Sequence, residues 1–221
     1  MPLPDIERAR HNMVEQQVRP WSVSHPQVLH LLAHLKREDF VPEAYRSLSF
    51  ADIDIPLPCG QTMLRPGVQA RLLQDATVQP GDKVLEIGVG TGFMTAMLAR
   101  MGSSVLGLEI HPELAAIAEA NLRKACIHNV TIRQTDGARG AELDAPFDLI
   151  VLGGSVAEVP QVLLNQLKPH GRLIAIVGEE PAMQAQTITR SGNTRWDAIT
   201  HWETSVPRLL RFPQASPFRF A

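Results

Sequence analysis

The sequence predicts an α/β fold whose sheet is doubly wound and mostly parallel, with helices on both faces. From Asp82 onward, apolar runs of strand length alternate with helical stretches. The apolar runs are almost continuous Val, Ile and Leu, as in parallel strands that are buried on both faces. Beyond Gly178, two further strand-like runs flank a Ser-Gly-Asn turn, which indicates a C-terminal antiparallel hairpin.

The individual elements follow from the spacing of apolar residues and from the turn residues between them. Parallel strands are predicted at residues 83–87, 104–108, 130–134, 147–152 and 172–177, and hairpin strands at 186–190 and 196–203. Helices are predicted at residues 6–18, 26–35, 68–76, 94–101, 112–125 and 159–167. Residues 37–67 hold four prolines and two glycines, so we expect an ordered functional loop region there. The expected organisation is one compact unit, in which residues 1–67 form N-terminal helices and a covering loop and residues 68–221 form the ligand-binding domain.

Composition limits the class of protein. The chain has 221 residues, of which 44% are hydrophobic, and its formal net charge is −2. That charge does not favour nucleic acid or an anionic membrane as a partner, and no apolar run approaches the roughly 18 residues of a membrane span. Cys59 and Cys126 lack a CxxC spacing and are expected to be free thiols. We therefore expect a soluble, cytoplasmic protein, and the sequence does not specify its oligomeric state.

The most informative segment is a glycine-rich loop between a strand and a helix. The first parallel strand runs directly into Gly88, Gly90 and Gly92. Glycine suits such a turn because it adopts positive φ and lets the backbone approach a ligand closely. The spacing is G-x-G-x-G rather than the G-x-G-x-x-G that holds a dinucleotide, and it favours an aminoacyl-sulfonium ligand. Glu86, two residues before the loop, is expected to fix the loop's backbone amides; contact with the ligand is its alternative role.

Two acidic residues follow the next two strands. Glu109 closes the second strand, where a carboxylate can accept hydrogen bonds from both hydroxyls of a ribose. Asp136 follows the third strand, where a carboxylate can accept from an adenine amino group; capping of a helix is its alternative role. A nucleoside that lies across the ends of the first three strands would meet the glycine loop and both acids. The pattern therefore predicts S-adenosylmethionine as the cofactor.

The chain resembles the protein-L-isoaspartate O-methyltransferase family from Val28 onward. The general features of class I methyltransferases are the glycine loop and the two acids, whereas Gly60-Gln-Thr62 with Pro66 is specific to this family. The other segments that carry the resemblance are Arg37-Glu-Asp-Phe-Val-Pro42, Asp136-Gly137, Phe147-Asp-Leu-Ile-Val151, Glu158-Val-Pro160, Leu167-Lys-Pro-His-Gly171 and residues 177–180.

The resemblance implies an enzyme that uses S-adenosylmethionine to methylate the free carboxylate of isoaspartyl residues in damaged proteins. Such a carboxylate is already ionised at neutral pH, so no general base is required. The cofactor residues would be Gly88, Gly90, Gly92, Glu109, Asp136 and Gly137, supported by Glu86. Thr62 and its neighbours would line the wall near the transferred methyl group.

One position departs from the family pattern. The family reads roughly Gly-Gln-Thr-Ile-Ser-Gln/Ala-Pro, with the serine beside the reacting carboxylate, whereas this chain has Leu64 at the serine and then Arg65. The guanidinium of Arg65 is a candidate to bind the carboxylate in place of the hydroxyl, because its geometry suits bidentate contact. Ser155 is a second candidate, with capping of the next helix as its alternative role. Thr62, Leu64 and Arg65 are thus the predicted catalytic residues.

Two other functions stay open at this point because of Leu64. The chain could methylate a different acceptor, such as a small metabolite, or it could bind S-adenosylmethionine without catalysis. The eight histidines show no ligand spacing, since residue 31 between His30 and His34 is Leu rather than the Glu of HExxH. No metal is therefore predicted.

Overall fold

The computed structural model describes residues 5–214 and begins with a helical layer. Helix α1, Asp5–Met13, continues into a π-helical turn at Val14–Val18 and a 3₁₀ turn at Arg19–Trp21. Ser22 then takes a left-handed conformation, with φ of 63°, and ends the helical run. Helix α2 spans Pro26–His34. The first predicted helix is therefore present but changes its hydrogen-bonding pattern halfway.

The proline-rich segment that follows is ordered without long elements. It contains 3₁₀ turns at Arg37–Asp39, Glu43–Leu48 and Pro58–Gly60. Between and after them, strand β1, Ile55–Pro56, pairs antiparallel with strand β2, Thr62–Met63. Prolines without N–H donors explain why no longer ladder forms here.

The main sheet has seven strands. They are β3 Lys83–Ile87, β4 Ser104–Glu109, β5 Val130–Gln134, β6 Phe147–Val156, β7 Leu167–Val177, β8 Gln184–Arg190 and β9 Trp196–Glu203. The order is β5-β4-β3-β6-β7-β8-β9; the first five are parallel to one another, β8 is antiparallel to β7, and β8 and β9 form the antiparallel hairpin. The remaining helices are α3 Pro66–Asp75, α4 Phe93–Met101, α5 Pro112–Lys124 and α6 Gln161–Leu164. The predicted fold class is confirmed.

Helices cover both faces of the sheet. Adjacent residues of the central strands point to opposite faces, and both faces are apolar. Val84 of β3 belongs to one buried cluster, which also contains Met13 and Val28 of the N-terminal helices. Its neighbour Leu85 belongs to a second cluster on the other face, together with Phe147. No helix in residues 5–214 combines the length and apolar character that crossing a bilayer requires.

The prediction for residues 159–167 was wrong at its end. Helix α6 stops at Leu164, and Leu167 instead begins β7 by pairing with Phe147 of β6. The amide of Phe147 also donates to the carbonyl of Gln166 at 2.8 Å. Hydrogen bonds with β6 therefore take the place of those that one more turn of helix would have made.

The order of the strands places a crevice at their carboxyl ends. Strands β4 and β5 lie on one side of β3, and β6 and β7 lie on the other. In open α/β sheets, ligands bind where the strand order reverses in this way. The glycine-rich loop leaves β3 at that point.

Candidate functional site

Gly88 and Gly90 form the floor of the crevice. They have φ of 86° and 58°, a left-handed conformation that side-chain-bearing residues adopt only with strain. The amide of Gly88 donates to the carbonyl of Leu108 at 2.9 Å, which anchors the loop to β4. Gly92 plays a different role. It precedes α4 and packs against Ala118 of α5 rather than lining the crevice.

Glu109 connects the end of β4 to the glycine loop. Its side chain is only 4% exposed. One carboxylate oxygen accepts the amide of Gly90 at 2.9 Å and the other accepts the amide of His111 at 3.0 Å. Each carboxylate oxygen has two lone pairs, so both can still accept from a hydroxyl of the ligand.

Asp136 and Gly137 form the next part of the wall. Asp136 accepts the amide of Ala138 at 3.0 Å, and no helix follows for it to cap. Its second oxygen lies 3.8 Å from the guanidinium of Arg211. A Cβ atom at Gly137 would overlap the side chain of Ile87, so glycine is needed there for close packing against β3. Asp136, Gly137 and Glu109 line one cavity of about 40 Å³.

Glu86 does not hold the loop, and that prediction was wrong: the amide of Gly90 is bonded by Glu109 instead. Glu86 is fully buried, and neither of its carboxylate oxygens has a hydrogen-bond partner in residues 5–214. Burial raises the pKa of Glu86 to about 8; the neighbouring hydroxyl of Thr95 opposes this shift, and the nearby charge of Glu109 reinforces it. The hydroxyl of Thr91 is also buried and unpaired among these residues, and it lines the same cavity as Glu86.

Thr62 and Leu64 reach the glycine loop, whereas Arg65 does not. Thr62 and Leu64 line two cavities that also contain Gly88 and Gly90. Arg65 instead lies over the Trp21 ring, 5.6 Å from its centroid, and donates to the Thr204 hydroxyl at 3.1 Å. It also lies 3.8 Å from a carboxylate oxygen of Asp54. This placement gives no support to the prediction that Arg65 binds the acceptor carboxylate.

A segment that sequence reasoning missed crosses the crevice; we call residues 205–212 the C-terminal strap. The strap is held by β6, since Ser155 donates its amide to the carbonyl of Pro207 and Leu209 donates its amide to the carbonyl of Ser155, each at 2.9 Å. The hydroxyl of Ser155 is buried and donates to the carbonyl of Val206 at 2.9 Å. Ser155 therefore neither caps a helix nor faces a substrate, and both roles considered for it were wrong.

The strap contributes apolar side chains to the site. Leu209 lies against Gly88, so that a Cβ atom there would be 2.6 Å from its Cδ2. Leu209, Leu210 and Phe212 line the cavity beside Asp136, and Leu209 also lines a neighbouring cavity of about 50 Å³. Gly153 was missed as well, although the Gly153-Gly154 pair after a buried strand is a signal of close approach. A Cβ atom at Gly153 would overlap the carbonyl oxygen of Gly88.

These residues fit S-adenosylmethionine. The carboxylates of Glu109 and Asp136 stand at the ends of β4 and β5, as the hydroxyls and amino group of a nucleoside require. The unpaired oxygens of Glu86 and Thr91 lie in a cavity on the other side of Gly88 that Thr62, Gln69 and several apolar side chains also line, and they suit the polar end of the amino-acid part.

A doubly wound sheet with this crevice is that of an S-adenosylmethionine-dependent methyltransferase. Comparison with known families agrees, because residues 8–205 match the family model described as protein-L-isoaspartate (D-aspartate) O-methyltransferase. The chain belongs to that family.

Individual relatives span nearly the whole chain. The protein-L-isoaspartate O-methyltransferase of Gloeobacter violaceus is 40% identical over 203 residues, which are 91% of this chain and 99% of the relative. That of Methylorubrum extorquens is 36% identical over 210 residues, 95% of this chain and 92% of the relative.

Solved structures share the fold. One protein-L-isoaspartate O-methyltransferase matches with a TM-score of 0.77 and 25% identity over 89% of this chain, which spans 64% of that longer protein. A Plasmodium falciparum protein described as the same enzyme was solved in complex with S-adenosyl-L-homocysteine. It matches with a TM-score of 0.73 and 20% identity, over 93% of this chain and 99% of its own.

Proposed function

We propose that the protein methylates the free carboxylate of isoaspartyl residues in damaged proteins or peptides. The observation that carries this proposal is the wall formed by Thr62 and Leu64. Thr62 ends the Gly60-Gln-Thr62 segment typical of the family, and Leu64 follows two residues later. Both face the glycine loop across one cavity. Family membership over almost the whole chain supports the same acceptor.

We assign the cofactor to residues on both sides of Gly88. Gly88 and Gly90 let it approach the backbone, Glu109 accepts from the ribose, and Asp136 accepts from the adenine. Gly137 and Gly92 act by packing, since they bring the Asp136 loop against β3 and α4 against α5. The cofactor supplies a methyl group on a sulfonium, which is transferred by in-line displacement.

The protein's own contribution is alignment and exclusion of water. The cavity beside Thr62 is lined mostly by apolar side chains, among them Leu57, Met63, Leu64 and Phe93, which keep water from a bound carboxylate. We assign the Thr62 hydroxyl as the donor to that carboxylate. Holding two reactants in line supplies on the order of 7 kcal/mol in favourable cases.

The test is methyl transfer from radiolabelled S-adenosylmethionine to an isoaspartyl peptide and to its normal aspartyl twin. We expect base-labile label on the isoaspartyl peptide alone. Label on neither peptide, from protein that binds S-adenosylhomocysteine, would reject the proposed acceptor and leave the methyltransferase class intact.

Leu64 favours one alternative acceptor. Its side chain is 5% exposed and replaces the family's serine with an apolar surface. A small metabolite with an apolar group beside its nucleophile would fit that surface. Screening acidic and hydroxylated metabolites for label, with the isoaspartyl peptide in parallel, separates the two substrates.

We further propose that the protein works in the cytoplasm. Cys59 and Cys126 are both exposed and free, as expected for thiols in a reducing compartment. Fractionation of cells that express the chain at its natural level would test this location.

A further inference from the structure

Arg37 is the most deeply buried cation among residues 5–214, with 0% exposure. Its Nε donates to the carbonyl of Ser49 at 3.0 Å, and one terminal nitrogen donates to the carbonyl of Leu64 at 2.8 Å. The other terminal nitrogen donates to the side-chain oxygen of Gln69. The guanidinium also lies over the ring of Phe93, 4.9 Å from its centroid.

Three of these four partners line the cavity that Thr62 and Leu64 also line, where we place the acceptor beside the amino-acid end of the cofactor. Leu64 comes from the wall after β2, Gln69 from α3 and Phe93 from the first turn of α4. Arg37 lies behind them and does not line that cavity itself. One side chain therefore joins three separate elements that form the acceptor side of the site.

The burial of this charge is expensive for the fold. Burial lowers the pKa of Arg37 to about 9 against the opposing influence of Asp54, so the guanidinium remains charged at pH 7. Its hydrogen-bond acceptors are neutral carbonyl and amide oxygens rather than carboxylates. Buried charges are usually paired, and apolar residues would fill the same space at lower cost. Arginine is suited to this place because its planar fork serves several acceptors at once.

We propose that Arg37 is the positioning residue of the methyl acceptor: it fixes the carbonyl of Leu64 and thereby the Thr62–Leu64 wall on which the acceptor lies. This inference rests on the proposed function in that it places the acceptor beside that wall. Because Leu64 offers no hydroxyl, alignment of the carboxylate depends on the position of the wall itself. A displacement of about 1 Å at a reacting centre can lower a rate roughly 100-fold.

The test replaces Arg37 by lysine, whose single nitrogen cannot reach acceptors that are placed around three separate nitrogens. Arg10→Lys is the matched control, because Arg10 is also buried, pairs with Glu38 and lies over Phe50, away from the acceptor cavity. Amide hydrogen exchange of residues 61–65 is measured for both variants with S-adenosylhomocysteine bound. Calorimetry gives its Kd, and the isoaspartyl peptide gives kcat and KM.

We expect exchange at residues 61–65 to rise at least about tenfold in Arg37→Lys and to stay at the parent level in Arg10→Lys. We also expect kcat to fall about tenfold or more in Arg37→Lys, with the Kd for S-adenosylhomocysteine changed less than about threefold. Unchanged exchange in Arg37→Lys, or an equal increase in Arg10→Lys, overturns the proposal. So does a folded Arg37→Lys with the parent's kcat.

The exchange measurement needs no methyl acceptor, so it decides the role of Arg37 even where the isoaspartyl peptide proves to be the wrong substrate. If Arg37→Lys does not fold, Gln69→Leu removes the acceptor that orients the guanidinium toward the carbonyl of Leu64. Raised exchange at residues 61–65 is expected there too, and parent-like exchange rejects the proposal.

Discussion

Leu64 decides how much of the family's chemistry this site retains. A hydroxyl donor to the reacting carboxylate would contribute roughly 1.5–3 kcal/mol as a charge-assisted hydrogen bond. We therefore expect Leu64→Ser to raise kcat/KM for an isoaspartyl peptide about tenfold or more. The measurement is the radiolabel assay at saturating cofactor, with the Kd for S-adenosylhomocysteine determined for each variant.

Leu64→Ala is the matched control, because it removes the same apolar contact without adding a donor. A gain in Leu64→Ser alone identifies the hydroxyl as the cause. An equal gain in both variants would contradict the prediction and point to relief of crowding. An unchanged rate would mean that the hydroxyl of Thr62 alone already serves the carboxylate, and Thr62→Val would then be the variant to measure.

Glu86 makes stability depend on pH. Burial raises the pKa of this carboxyl to about 8, against about 4.3 in an unfolded chain. The folded state thus keeps a proton that the unfolded state releases, and the free energy of unfolding falls as pH rises between those values. Glu86→Gln keeps the shape but cannot ionise. The parent apoprotein should lose stability between about pH 5.5 and about pH 8.5. We expect the loss in Glu86→Gln over the same range to be smaller by at least about 1 kcal/mol.

Urea denaturation at each pH measures this difference. Glu142→Gln serves as the control, since Glu142 is an exposed glutamate in a 3₁₀ turn on the surface. The stability of Glu142→Gln should equal that of the parent at every pH. A Glu86→Gln curve parallel to that of the parent would show that Glu86 is ionised in the folded apoprotein.

At the scale of elements, contacts between loops and strands determine the shape of the crevice. Gly137→Ala would press a methyl group against Ile87 of β3. Overpacking of this kind costs typically about 1–3 kcal/mol, and here it also displaces Asp136. We expect lower stability and weaker binding of S-adenosylhomocysteine, measured by urea denaturation and calorimetry. Gly81→Ala has open space around it and should change neither, so a similar loss in both variants would refute the explanation.

The strands could be predicted from sequence because each is a short run of Val, Ile and Leu between turn residues. Strands β3 and β5 have the predicted bounds. The helix over residues 159–167 was overextended, because nothing local reveals that Leu167 pairs with Phe147. The glycine loop, Glu109 and Asp136 were found from their spacing, whereas the strap was not. Its place depends on the backbone of Ser155, more than 50 residues earlier in the chain.

At the scale of the whole molecule, the N-terminal region and the sheet share one buried cluster. Met13 and Val28 belong to it together with Val68 and Leu98, which lie beyond the predicted boundary at residue 67. The roles predicted for the two parts stay predictions. A shared core implies that a ligand of the crevice stabilises the N-terminal helices as well as the sheet.

Ligand binding should therefore raise the melting temperature of the whole chain. At about 100 times its Kd, S-adenosylhomocysteine adds roughly 2.7 kcal/mol, or about 5–10 °C for a chain of this length. We expect Asp136→Ala to lose most of that shift at the same concentration, because it removes an acceptor from the crevice. Asp197→Ala, on the exposed face of β9, is the control and should retain it. A full shift in Asp136→Ala would remove Asp136 from the cofactor site.

The C-terminal strap has a consequence for the speed of each catalytic cycle. The cavities around Leu209 hold only about 40–50 Å³, whereas ligand pockets hold roughly 300 Å³ or more. We therefore expect Leu209 to leave Gly88 before a cofactor enters. In stopped-flow experiments, the observed binding rate should level off at high concentration, at the rate of opening, and Leu209→Ala should raise that plateau. A rate that increases linearly without limit would show that no opening precedes binding.

The C-terminal strap should also delay the release of product. Demethylated cofactor leaves only when the strap opens again, so its residence time sets an upper limit on turnover. Even where the methylated protein dissociates quickly, the enzyme would still hold demethylated cofactor and could not begin another cycle. When acceptors are abundant, the enzyme would therefore turn over at one steady pace, whatever the intrinsic speed of the transfer.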